Sequence, residues 1–184
     1  MADEPPPDLE ELARALCDVL NVYGVSYVLV GSLAARLQGA GVTTVDIDVA
    51  PAPAVDNLQR LADALNTLRP RWRIENRPEG AKIDGRLEPR HFLGDPLAVG
   101  LTTRLGALDV VFHVDGFQGN AYEALSPRAL TLRVQDVDVP VVAVDDIVTS
   151  KRAAGRRKDL DHLPILERFL AERERSSRDP DLGP

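Results

Sequence analysis

Two hydrophobic rhythms alternate along the chain, and the places where one gives way to the other predict its elements. Residues 8 to 23 carry apolar positions at helical spacing and predict an amphipathic helix. From Ser26 to Val30 the chain is apolar and β-branched, it then reaches Gly31-Ser32, and residues 33 to 37 read as helix. That order predicts a strand, a tight turn and a helix start. Residues 44 to 49 alternate strictly, a strand pattern; residues 53 to 68 return to the helical period, and Arg71 to Ile74 opens another alternating strand. Further strands are expected near 83–93, 97–104, 107–114, 130–134 and 139–144, with a short helix around 120–125.

Two helices are expected to finish the chain. The first has Asp145 as its N-cap and Gly155 as its C-cap, and the second repeats Leu160, Leu163, Leu166 and Leu170 at helical spacing. Pro164 implies a kink or a late start in that second helix, since an interior proline removes a backbone donor. The expected fold class is therefore α+β, a mixed and largely antiparallel sheet flanked by helices. One domain over residues 8–176 is expected, with a core of 24–144, a C-terminal helical part of 145–176, and flexible tails at 1–7 and 177–184.

Chemistry concentrates where these elements end. Gly31 permits close approach of a ligand to the backbone, Ser32 offers a cap and a hydroxyl, and a helix start favours an anion. This suits a nucleotide triphosphate. A strand sends residues i and i+2 to one face, so Asp46 and Asp48 are expected to point together while Val45, Ile47 and Val49 face the core. Adjacent carboxylates raise each other's pKa unless a cation lies between them, and hard oxygen ligands suit Mg²⁺. Asp109, on the apolar strand near 107–114, reads either as a third carboxylate or as a strand-end acid facing solvent. With all three acids, two Mg²⁺ ions become possible, one activating an attacking oxygen and one steadying pyrophosphate. Lys151, in the first terminal helix, reads either as a phosphate grip or as a solvated cation near a helix C-terminus.

Composition changes the picture in three respects. At 184 residues and 44% apolar, the chain suits one core. Its one cysteine, Cys17, falls in a helical apolar pattern as a core residue. The segment lacks any apolar stretch of the ~20 residues a membrane span needs, and a cytoplasmic, membrane-free protein is expected. Net charge is −7, yet seven basic residues against four acidic ones lie between Arg69 and Arg90, and five more between Lys151 and Lys158. Local distribution outweighs the sum for nucleic-acid contact. Arg71, Arg73, Arg156 and Arg157 are the candidate RNA contacts, or alternatively solvated arginines on exposed faces. Three scattered histidines lack zinc-ligand spacing, Trp72 reads as a packing residue or, with Tyr27, as a nucleobase neighbour, and Gly31-Ser32 lacks the flanks of a hydrolase nucleophile elbow.

With Gly31-Ser32, Asp46-Ile47-Asp48, Lys151 and the Arg157 to Leu160 segment in hand, the chain resembles the nucleotidyltransferase superfamily of DNA polymerase β-like fold. More narrowly it resembles the bacterial abortive-infection (AbiEii-like) toxin nucleotidyltransferases and their mycobacterial relatives, over residues 24 to 170. The resemblance implies that Ser32 contacts nucleotide phosphate, Asp46 and Asp48 hold metal, Lys151 binds triphosphate and Asp159 is the acid of the last motif. The chain departs from the pattern at Val42, where relatives often carry Arg, and at His162, where they often carry Asp. The implied activity is Mg²⁺-dependent transfer of a nucleotide from a nucleoside triphosphate to the 3′ end of tRNA, with a cognate antitoxin as partner. Transfer to a small-molecule antibiotic or a protein hydroxyl is the alternative within the chemistry. A silent nucleotide- or partner-binding module is the alternative outside it.

Overall fold

The computed structural model describes residues 8–94 and 96–178; the expected tail residues 1–7 and 179–184 lie outside them. Helix α1 (Leu9–Val22) starts at Asp8, whose side chain accepts a hydrogen bond from the Glu10 amide, and buries Ala13, Leu16, Cys17 and Leu20. Strand β1 (Tyr27–Val30) is buried at every position, as a continuous apolar run in the middle of a sheet should be. Then follow α2 (Gly31–Leu37), β2 (Ile47–Pro51) and α3 (Val55–Asn66). Asn57 is buried in the first turn of α3. Its side chain accepts from the Ser26 amide at 2.7 Å and donates to the carbonyls of Ser26 and Ala52, which pins the start of β1 to the end of β2.

Strands β3 (Arg71–Ile74), β4 (Arg77–Lys82), β5 (Ala98–Thr103) and β6 (Gly106–Val111) build one half of the sheet. Helix α4 (Ala121–Leu125), β7 (Leu130–Val134) and β8 (Val137–Val141) lead to α5 (Val144–Ala154) and α6 (Arg157–Arg178). Among the described residues the eight strands form one sheet in the order β4-β3-β5-β6-β2-β1-β8-β7. Pairing is antiparallel except for β1 with β8 and β2 with β6, so the sheet is mixed and largely antiparallel, as expected. No described helix is long and apolar enough to cross a membrane.

Four local expectations are corrected. The strand placed near 83–93 lies instead at Arg77–Lys82, and Pro89–Phe92 is a single 3₁₀ turn. Asn76, at φ 61°, reverses the chain immediately after β3, and the β4 edge strand is polar and solvated, so it lacks the alternation that marks a half-buried strand. The N-cap of α5 is Ala143, and Asp145 sits in the first helical turn, where its charge still favours the N-terminal dipole. Helix α6 starts at Arg157, ahead of Pro164, rather than late. It runs on to Arg178, which makes Ser177 and Arg178 helical.

Candidate active site

Gly31, immediately after β1, has φ 71°, in the left-handed region that side chains disfavour. A Cβ built there would collide with the Asp48 carboxylate, so glycine is required for space as well as for conformation. Gly31→Ala is expected to cost about 1–3 kcal/mol and, by displacing the Asp48 carboxylate, to cut turnover by roughly a hundredfold. Thermal melts read the first, and the rate of the nucleotide transfer expected from the sequence reads the second; unchanged turnover would count against a role for Asp48 in that reaction.

Ser32 does not cap α2. The N-cap is Val30, without a side-chain bond, and the buried Ser32 hydroxyl shares a hydrogen bond of 3.2 Å with His162 Nδ1 of α6. Burial, with Lys151 and Lys158 nearby, holds His162 below its ordinary pKa, so the ring is neutral at pH 7.

The acids converge through strand register. Asp48 on β2 pairs with Asp109 on β6 and with Val30 on β1, which places one carboxylate beside the other at the mouth of the Gly31 turn. Asp46 precedes β2 rather than lying inside it, and lines the same cavity. Burial, Asp109 and Asp46 push the Asp48 carboxyl up from 3.8 to about 7. Three oxygen-donor acids under this mutual repulsion suit a hard divalent cation. As the side chains stand, however, no three described acidic or imidazole groups are close enough together to enclose an ion. Asp109 is hydrogen-bonded to Arg73 Nη2 instead, and Arg73 Nη1 lies 4.0 Å from Asp46 Oδ1.

Opposite the acids stands a cationic wall from the C-terminal helices. Gly155, left-handed at φ 61°, ends α5 as expected and turns the chain into α6. Lys151 Nζ donates to Asp159 Oδ1 at 2.8 Å and Arg156 Nε to Asp159 Oδ2 at 2.8 Å, with Lys151 and Asp159 both buried. Burial alone would raise the Asp159 carboxyl, but these hydrogen bonds together with the charges of Lys151 and Arg156 hold it below its ordinary value. The two walls enclose a cavity of about 670 Å³ that includes Gly31, Ser32, Asp46, Asp48, Asp109, Lys151, Arg156 and Asp159. Lys158, Asp115 and an apolar side containing Leu97 and Phe117 also line it.

Of the remaining candidates, Arg71 donates to the backbone carbonyls of Glu79 and Gly80 and lines a separate groove, and Arg157 is exposed outside the cavity. Trp72 packs edge-on against His91, as a packing residue should. Sequence reasoning missed His162 as a partner of Ser32 and Lys158 as part of the wall; the only signal was their place in the basic segment after Gly155.

No family model and no curated protein matches the sequence. Solved structures that resemble the fold include two nucleotidyltransferase-type proteins. One is the lincosamide antibiotic adenylyltransferase LnuA in its lincomycin-bound form, at TM-score 0.55 and 13% identity, over 86% of this chain and 96% of that one. The other is a Thermotoga maritima protein provisionally described as a nucleotidyltransferase, at TM-score 0.49 and 15% identity, over 88% and 92%. The chain therefore has the fold of the lincosamide adenylyltransferase.

Proposed function

We propose that the protein is a metal-dependent nucleotidyltransferase that moves a nucleotide from a nucleoside triphosphate onto the 3′ end of an RNA, tRNA by the toxin-family resemblance, with an antitoxin as its partner. The observation that carries the reaction type is the pairing of Asp48 with Asp109 across from Lys151 and Asp159, in one cavity that begins at the Gly31-Ser32 turn. In this reading Asp46, Asp48 and Asp109 hold Mg²⁺. The ion would supply charge neutralisation at the reacting phosphate and a lowered pKa for the attacking hydroxyl.

The chain's own residues then divide the remaining work. Lys151, fixed by Asp159, and the neighbouring Arg156 and Lys158 offer positive charge to the triphosphate. Gly31 brings backbone close to it, while His162 fixes the Ser32 hydroxyl at the same end. The acceptor hydroxyl attacks the α-phosphorus; a new oxygen–phosphorus bond forms, the bond to the β-phosphate bridging oxygen breaks, and pyrophosphate leaves.

RNA is favoured as acceptor by the positive charge along the β3–β4 edge of the sheet that also supplies Arg73 to the acids. Strands β3 and β4 at the sheet edge carry Arg71, Arg73, Arg77 and Lys82, and a groove of about 850 Å³ there is lined by Arg69, Arg71, Lys82 and Arg86, with Asp63 the acid in that lining. Such a rim attracts a phosphodiester backbone. Transfer to an antibiotic remains the second reading, favoured by the fold likeness to the lincosamide enzyme over nearly that enzyme's whole length. Incubation with each labelled triphosphate, Mg²⁺ and either total RNA or a panel of lincosamide and aminoglycoside acceptors separates them. RNA labelling lost in Asp48→Ala supports the first reading; labelling of a drug with RNA unmodified supports the second, and no transfer to any acceptor counts against both.

A further inference from the structure

Gly100 stands in the middle of β5 without the positive φ that would require glycine. A glycine in a strand interior weakens the strand and marks a place where something approaches closely. What approaches is Arg73. A Cβ at residue 100 would meet the Arg73 guanidinium at 3.1 to 3.3 Å, and the register aligns Gly100 with Asp109, so the arginine crosses β5 over the glycine to reach the acids on β6 and before β2. It thereby bridges Asp109 and Asp46, two of the three acids, while Asp48, the one most crowded by like charge, lies outside the arginine's two ion pairs.

We infer that Arg73 is a tethered counter-ion that competes with the divalent cation for Asp109 and Asp46, so that the site takes up metal together with the triphosphate rather than beforehand. The inference rests on the reading of the three acids as metal ligands. The guanidinium cannot lose its charge at working pH, and its planar fork matches a carboxylate edge, so it satisfies Asp109 in the absence of metal. A metal arriving alone must break that pair. A metal arriving on a triphosphate brings anionic oxygens that share the cation and offer Arg73 another acceptor. Arg73 is on this account a positioning residue, acting through the acids.

Mn²⁺ binding followed by electron paramagnetic resonance, with no nucleotide and no turnover, tests the idea on the whole chain. Arg73→Gln is expected to bind Mn²⁺ about five- to tenfold more tightly than wild type, since a competing charge has been removed. Gly100→Val keeps the arginine but obstructs its path, and is expected to move affinity in the same direction. Adding a non-hydrolysable triphosphate should tighten Mn²⁺ binding more in wild type than in Arg73→Gln. Unchanged or weaker Mn²⁺ binding in Arg73→Gln, alongside Asp48-dependent binding in wild type, overturns the counter-ion role and leaves the metal reading intact. Tightening in Arg73→Gln with wild-type affinity in Gly100→Val overturns the route over the glycine. Mn²⁺ binding that is absent from folded wild type, with or without triphosphate, overturns both the counter-ion and the metal reading.

Discussion

Asp48→Asn is expected to abolish nucleotide transfer and, at the same time, to raise the melting temperature of the ligand-free protein at pH 8. Asp48 is held by β2 beside Asp109 and near Asp46, and its carboxyl is raised from 3.8 to about 7 by burial first and by those two acids second. A folded-state pKa above the unfolded value means that the protonated form favours the fold. The stability it contributes is fully present below about pH 4 and is lost as pH rises through about 7. The charged form at pH 8 therefore costs at most roughly 4 kcal/mol, and less once water reaches a half-buried group. Asparagine avoids that cost while keeping the shape. A gain of about 1–2 kcal/mol, or roughly 2–8 °C in Tm, is expected. The gap between variant and wild type should widen from pH 5 to pH 7 and level off by pH 8. Mg²⁺ with a triphosphate should stabilise wild type more than the variant. A variant that melts with or below wild type at pH 8 would contradict the crowding of the three acids.

Asp159→Ala should have the opposite effect on stability and a similar one on activity. Lys151 and Asp159 are an ion pair at 2.8 Å whose side chains are only 8% and 11% exposed. Removing one member strands the other in a poorly solvated wall, at a cost of about 3 kcal/mol, which corresponds to a Tm lower by roughly 6–12 °C. Lys151 also loses the group that aims it at the cavity, and a misplaced phosphate grip is expected to reduce turnover by about a hundredfold or more. Because Asp159 is held below the usual carboxylate range, its contribution is present at neutral pH and is lost as pH falls through that lowered value. Wild type and variant should therefore converge in stability under acid. The double variant Lys151→Met, Asp159→Leu is expected to recover part of the stability but none of the activity. An Asp159→Ala protein as stable as wild type would show that the pair is well solvated.

These two side chains differ in how far local sequence specifies them. Asp46, Asp48 and Asp109 were legible because an apolar strand carrying an acid is anomalous wherever it occurs, and the two-residue period says which acids can share a face. Lys151 was legible only as a candidate, since its burial depends on a partner in the next helix. The sheet class and most elements followed from periodicity, which buried strands such as β1 display strongly. β4 did not, because an edge strand in water is not constrained to alternate. The contact from Ser32 to His162 and the passage of Arg73 over Gly100 are products of tertiary register, for which local patterns carry no signal. The structure brought Arg73 to the acids and left Arg71 on backbone carbonyls in a different groove, although the two share the same strand.

The hydrogen bond between Ser32 and His162 joins positions 130 residues apart. The acidic half of the cavity is built by β2, β6 and the residues before β2, whereas Asp159 and His162 of the other half lie on α6. A nascent or prematurely released chain ending before residue 157 would carry Asp46, Asp48, Asp109 and Lys151 but neither the acid that orients the lysine nor the ring that holds the serine. On the proposed function, such fragments are expected to be inert towards nucleoside triphosphates, which makes α6 a requirement for transfer rather than an appendage to the fold.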